Sequence, residues 1–215
     1  MTNDNALREN LVNLLNSGDA HQDFDSAVDE IPAALRGKRP AGMPHSAWEL
    51  LEHVRIAQAD ILDYSRKAVH VSPEFPDGYW PPSPEPPNDA AWDESVAKFR
   101  ATRAAIIALV NDESTDLFAK IPHGTAILLA QILLIADHNT YHLGQLVLVR
   151  RMLFTLHSSP FTLHPSLFTL HSSPFTLHTS FHSPPPSRLR RLPESQHRPQ
   201  RLGGVLRGGR SQLVL

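Results

Sequence analysis

The chain has 215 residues, a formal net charge of −2 and no cysteine. That length supports one domain with a sizeable core plus further material, and the near-neutral charge gives no reason to expect a nucleic-acid or membrane partner. Without cysteine there are no disulfides, no thiolate ligands and no protein-borne thiol nucleophile. The charge is unevenly spread: residues 154–215 hold seven arginines and one acid, Glu194, leaving 13 basic and 21 acidic residues, a net of −8, in residues 1–153. The polar, acidic start lacks the pattern of a secretory signal, and no run approaches the roughly 20 apolar residues of a membrane span. A soluble cytoplasmic protein is the expectation.

Residues 4–17 read as a first helix, with Leu7, Leu11, Leu14 and Leu15 at helical spacing and Gly18 as its stop. Residues 21–45 read as irregular, with a brief helical turn between Pro32 and Gly37. The second long helix has a clear start. Ser46-Ala-Trp-Glu49 is a capping-box pattern, in which each side chain satisfies a backbone donor of the other. This helix is expected to reach about residue 66, with an inward stripe of Leu50, His53, Ala57, Ile61 and Tyr64.

Seven prolines between Pro73 and Pro87 exclude regular helix from residues 67–88. A crossover of that length is expected to be functional or to span one end of the fold, with Phe75, Tyr79 and Trp80 available to pin it. A third helix is expected over 89–111, capped by Asn88 and carrying Trp92, Val96, Phe99, Thr102, Ile106 and Leu109 at helical spacing. The fourth runs from Ile127 to Met152, with Thr125 as N-cap and Arg150 and Arg151 complementing the dipole at its end. Four amphipathic helices with long connections predict an all-α four-helix bundle over residues 1–153.

Residues 154–215 differ in kind. Phe-Thr-Leu-His recurs at 154, 161, 168 and 175, a period of seven, but Pro160, Pro165 and Pro174 forbid a continuous coiled coil. Residues 182–215 are rich in Pro, Arg, Gly and Ser. The expectation is a disordered low-complexity tail. Tandem duplication or a shifted reading frame would leave such a repeat and such an abrupt loss of acids, and the coding sequence after Met152 tests that idea.

The stretch Ala136-Asp-His-Asn-Thr-Tyr-His-Leu-Gly-Gln145 places His138 and His142 four residues apart, on one face of a helix and on its inward side. Two imidazoles aimed at a core require hydrogen-bond partners or a metal. His53, inward on another helix, is the best candidate for a third ligand. Three imidazoles would leave a coordination position open, the arrangement of a catalytic rather than a structural site. Asp60, two turns beyond His53, is expected either to orient a ligand imidazole or to pair with an arginine. Gln145 is placed to touch a bound ligand and His123 to line the pocket. Tyr141 reads as packing, and Gly144 as a point of close helix approach.

Pro44-His-Ser-Ala-Trp-Glu-Leu-Leu-Glu-His53, followed by Asp137-His-Asn-Thr-Tyr-His-Leu-Gly-Gln145, resembles the DinB-like superfamily of damage-inducible helical bundles. Ser72-Pro-Glu, Gly78-Tyr-Trp-Pro81 and Ile121-Pro-His-Gly124 extend the likeness over about residues 5–153. The resemblance implies a four-helix bundle holding one divalent metal, usually zinc or nickel, on one histidine of the second helix and two of the fourth. Here these are His53, His138 and His142. It also implies metal-dependent transfer using a low-molecular-weight thiol, or hydrolysis, of a small-molecule substrate, and a homodimer. The competing expectation is a non-enzymatic metal- or ligand-binding stress-response bundle, impaired by an aberrant C-terminus. The chain departs from the family's pattern after Met152, and at Gly124-Thr-Ala-Ile-Leu-Leu129 it is shorter and more apolar.

Overall fold

A computed structural model of the chain describes residues 2–16, 20–122 and 124–158. The expected tail, His123 and Gly18 lie outside them. The helices are α1 (Asn3–Leu15), α2 (Phe24–Val28), α3 (Ala47–Arg66), α4 (Asp89–Asn111) and α5 (Leu128–Ser158), with short 3-10 turns at Ala33–Leu35 and Asp77–Tyr79. Among the described residues there is no strand beyond one isolated bridge, Lys120 to Ile127, so the all-α expectation holds. No described helix is long and apolar enough to cross a membrane.

Local chemistry sets most boundaries. Thr2, Asp23, Ser46 and Asn88 each cap the helix that follows them through a side-chain oxygen. The Ser46–Glu49 capping box is complete, and Arg39 grips the Glu49 carboxylate from outside. Ser46 Oγ also donates to the Pro84 carbonyl at 2.6 Å, tying the crossover to the start of α3. At the far end of α4, the buried Arg8 donates to the carbonyls of Val110, Asp112 and Thr115 at 2.6, 3.0 and 2.8 Å. Val110 is in the last turn of α4, where carbonyls lack a helical partner, and Asp112 and Thr115 belong to the turn that follows, so one side chain holds the end of α4 and fastens α1 to it.

The fourth long helix differs from expectation at both ends. Residues 119–127 fold back on themselves, and the first N–H groups of α5 are taken by linker carbonyls: Leu128 N by Ala119 O at 3.0 Å, Leu129 N by Leu117 O at 2.8 Å. Thr125 is therefore not its cap, and Ile127 lies outside it. At the other end α5 runs on to Ser158, the last described residue. Arg150 and Arg151 thus lie well inside the helix. Arg150 reaches back to the Asp29 carbonyl and to Glu30.

α3 packs along α4 and α5, and α1 packs on the same two helices, so α1 and α3 stand across a diagonal. The apolar core forms two clusters rather than one. Phe24, Trp48, Leu50, Val54, Trp92, Phe99, Leu146 and Val149 belong to the first, and Leu11, Ile61, Ile106, Val110, Ile132 and Ile135 to the second. On α3 the clusters break between Val54 and Ile61, on α4 between Phe99 and Ile106, and on α5 between Ala136 and Leu143. Each gap is about two helical turns. The gaps hold Gln58 and Asp60 on α3, Arg103 on α4, and His138, Asn139 and His142 on α5. A polar belt therefore crosses the bundle at mid-height.

Candidate metal centre

The belt is built from side chains that satisfy one another. Gln58, fully buried, donates to the Phe99 carbonyl at 3.0 Å and accepts from Asn139 Nδ2 at 2.8 Å. A carbonyl can only accept, so the Phe99 oxygen dictates how both amides face. Beside this bridge stand the three histidines.

His53, His138 and His142 are each about 5–6% exposed. His53 Nε2 lies 3.1 Å from His142 Nε2 and 3.2 Å from His138 Nε2. Among the described residues they form the one set of three or more His, Cys, Asp or Glu side chains spaced to share an ion. The helical spacing of four brings the two α5 rings together. The capped start of α3 sets the height at which His53 meets them.

The outer nitrogens decide the chemistry of the inner ones. His53 Nδ1 donates to the Tyr79 carbonyl at 3.0 Å, so its Nε2 carries a lone pair. His142 Nδ1 donates to Gln145 Oε1 at 2.9 Å, so its Nε2 does too. Two buried lone pairs thus face each other at 3.1 Å, an arrangement that repels unless a cation lies between them. Zinc–nitrogen bonds of about 2.0–2.1 Å bring bound nitrogens to roughly 3.0–3.4 Å from each other, and the observed separations fall in that range. His138 Nδ1 is buried and has no hydrogen-bond partner among the described residues.

Burial and mutual proximity hold the rings neutral. The His138 pKa is pushed down to about 3, first by burial and then by His142 and His53, while the neighbouring Asn139 amide opposes the shift without forming a well-aligned hydrogen bond. His142 is pushed down to about 4 by burial and by His53. His53 is lowered as well, chiefly by burial. Neutral imidazole is the form that binds metal. The donor set therefore fits a divalent ion.

Residues from the crossover cover the site. Trp80 lies flat on His53, with ring centroids 4.0 Å apart and planes 5° from parallel, and His45 stacks on the other face of the same indole at 3.9 Å. Tyr79 is buried, as is its hydroxyl's contact with Asp60 Oδ2 at 2.7 Å. Phe75 is half-exposed and contributes little to the cover.

Several expected neighbours behave differently from the sequence reading. Among the described residues Asp60 pairs with neither a ligand imidazole nor an arginine; its oxygens take the Tyr79 hydroxyl and His70 Nε2, the latter at 2.6 Å. Gln145 contacts the His142 ring directly. Tyr141 is 47% exposed and stands edge-on to His142. Gly144 is exposed, and an added Cβ would meet no atom within 4 Å, so close helix approach does not account for it. Sequence reasoning missed the Tyr79 carbonyl, Trp80 as the lid on His53, and the Gln58–Asn139 bridge. A backbone carbonyl leaves no signal in a sequence, but an aromatic pair inside a proline-rich crossover was a visible one.

No curated protein matches the chain. The sequence profile of the DinB superfamily matches residues 18–146, more than half of the chain. The three-histidine cluster falls within that span, and the chain belongs to the DinB superfamily.

Proposed function

We propose that the protein holds one divalent metal ion, zinc or nickel, on His53, His138 and His142. The observation that carries this reading is the convergence of three buried, neutral imidazoles: the inner nitrogens of His142 and His138 lie 3.1 and 3.2 Å from that of His53, and those of His53 and His142 turn lone pairs inward. A bound ion would supply Lewis acidity and lower the pKa of a coordinated water or thiol. The three ligands carry no charge, so the full charge of the ion would be available for that purpose. Tyr79 and Gln145 set the direction of two ligand rings, and Trp80 excludes water from one face of the third-helix partner, His53 being the ring it covers.

The reaction we favour is metal-dependent transfer of a small thiol, or hydrolysis, on a small-molecule substrate. With no cysteine in the chain, any thiol has to arrive as a free molecule. A second reading, a non-enzymatic metal- or ligand-binding bundle, draws on one observation: among the described residues, none of the hydrogen bonds of the three rings goes to a carboxylate.

Metal content of the full chain tests the site. We expect about one equivalent of tightly held metal, lost in His138→Ala. Equal content in both proteins would count against the ligand assignment. A thiol-conjugation assay on the loaded protein then separates transferase from passive binder.

A further inference from the structure

Asp60 is the buried acid that the metal centre does not use. It is 8% exposed and contacts none of the three rings. A buried carboxylate is costly unless its oxygens are satisfied, and both oxygens of Asp60 go to one segment, the crossover. Oδ1 meets His70 Nε2 and Oδ2 accepts from the Tyr79 hydroxyl. The segment from residue 70 to residue 79 is thus strapped to α3 at both ends by a single carboxylate.

Tyr79 is also the residue whose carbonyl accepts from His53 Nδ1, and Trp80, next in the chain, lies on the His53 ring. A closed circuit results. It runs from His53 along two turns of α3 to Asp60, across to the Tyr79 hydroxyl, through Tyr79 to its carbonyl, and back to His53. An imidazole ligand needs two things fixed: which nitrogen carries the proton, and where the ring plane lies. The carbonyl fixes the first and the indole the second. Both belong to irregular backbone, whose local order is one 3-10 turn at Asp77–Tyr79. That turn shapes residues 77–79 but does not attach them to α3; apart from the His53 contacts themselves, the Asp60 carboxylate does.

We propose that Asp60 is a positioning residue of the metal centre, acting through Tyr79 to fix the tautomer and plane of His53 and so to set the affinity of the three histidines for a divalent ion. This rests on the metal-binding reading given above. His70 holds the second carboxylate oxygen and keeps Asp60 turned toward Tyr79.

The experiment uses the full chain in four further forms: Tyr79→Phe, Asp60→Ala, Asp60→Asn and Arg8→Ala. Zinc affinity is measured by competition with a chromogenic chelator. The His53 tautomer is read from long-range nitrogen–proton spectra of the metal-free protein, and stability from urea midpoints. Tyr79→Phe and Asp60→Ala are expected to weaken zinc binding about 10- to 100-fold, the usual effect of losing an outer-shell partner, and to turn a single Nδ1–H tautomer of His53 into a mixture. Asp60→Asn, whose amide oxygen still accepts from the Tyr79 hydroxyl, should retain most of the affinity. Arg8→Ala loosens the far end of α4, away from the three rings, and lowers stability, but should leave tautomer and affinity alone. Should Asp60→Ala fail to fold, Tyr79→Phe, which removes one hydroxyl, decides the matter. Zinc bound by the wild type with unchanged affinity and tautomer in Tyr79→Phe overturns the positioning role alone. A wild-type chain that takes up no zinc overturns the metal centre, and the affinity claim with it.

Discussion

Acid should destabilise the metal-free protein well above the pH at which its carboxylates titrate. Folded His138 gains its proton near pH 3 and folded His142 near pH 4, whereas an unfolded histidine does so near about 6.5. Between these values the unfolded chain binds more protons than the folded one. Stability therefore falls as pH drops below about 6.5, with a slope of about 1.4 kcal/mol per pH unit for each ring. From pH 6.5 to pH 5 that is roughly 2 kcal/mol per imidazole, and about 3–4 kcal/mol for the pair after a discount for partial solvent screening of His142. The lowered pKa of His53 acts in the same direction. Asp25, Glu49 and Glu52 are also lowered, against burial, by their hydrogen-bonded partners, so their contributions are intact above the ordinary carboxylate range and are lost only in more acid solution. The window from pH 7 to pH 5 thus isolates the histidines. With urea m-values of about 2–3 kcal/mol per molar, the unfolding midpoint of the chelator-treated chain should drop by more than about 1 M across it. His138→Gln should make the slope shallower by about one proton. A midpoint that stays constant between pH 7 and pH 5 would refute the claim that these rings are buried and neutral.

Two further outcomes follow from the packing. Gly144→Ala should stabilise the isolated protein by about 0.5–1 kcal/mol, read as a higher midpoint, because alanine is the better helix former and its methyl meets open space; destabilisation would mean that another chain covers this face of α5. Arg8→Ala should cost about 2 kcal/mol in urea unfolding, since it removes the guanidinium from the Val110 and Thr115 carbonyls, while Asp112 O keeps the Thr115 N–H. A change within about 0.5 kcal/mol would show that water replaces the guanidinium there.

The sequence by itself determined what depends on near neighbours in the chain. The Ser46–Glu49 box fixed the start of α3, and Asn88 that of α4, because a cap is made between residues three apart. The spacing of His138 and His142 placed two rings on one face for the same reason, and the inward stripe of α3 put His53 opposite them. The arginine pair at 150–151 suggested an end at Met152, which the helix overruns, because dipole preference is weak beside the packing of Val149 and Leu153.

What only the tertiary structure decided are contacts between residues far apart in the chain, where composition carries no geometry. Leu128 and Leu129 begin α5 because the carbonyls of Ala119 and Leu117 fold back to cap them. Asp60 faces Tyr79 and His70 rather than a ligand or an arginine, because the crossover returns along α3 instead of leaving it. Gln58 and Asn139, unremarkable as letters, meet across 81 positions to close the polar belt. The tautomer of His53, on which its use as a ligand depends, is set by a main-chain carbonyl of Tyr79, and every residue has one; only folding decides which of them stands beside the ring.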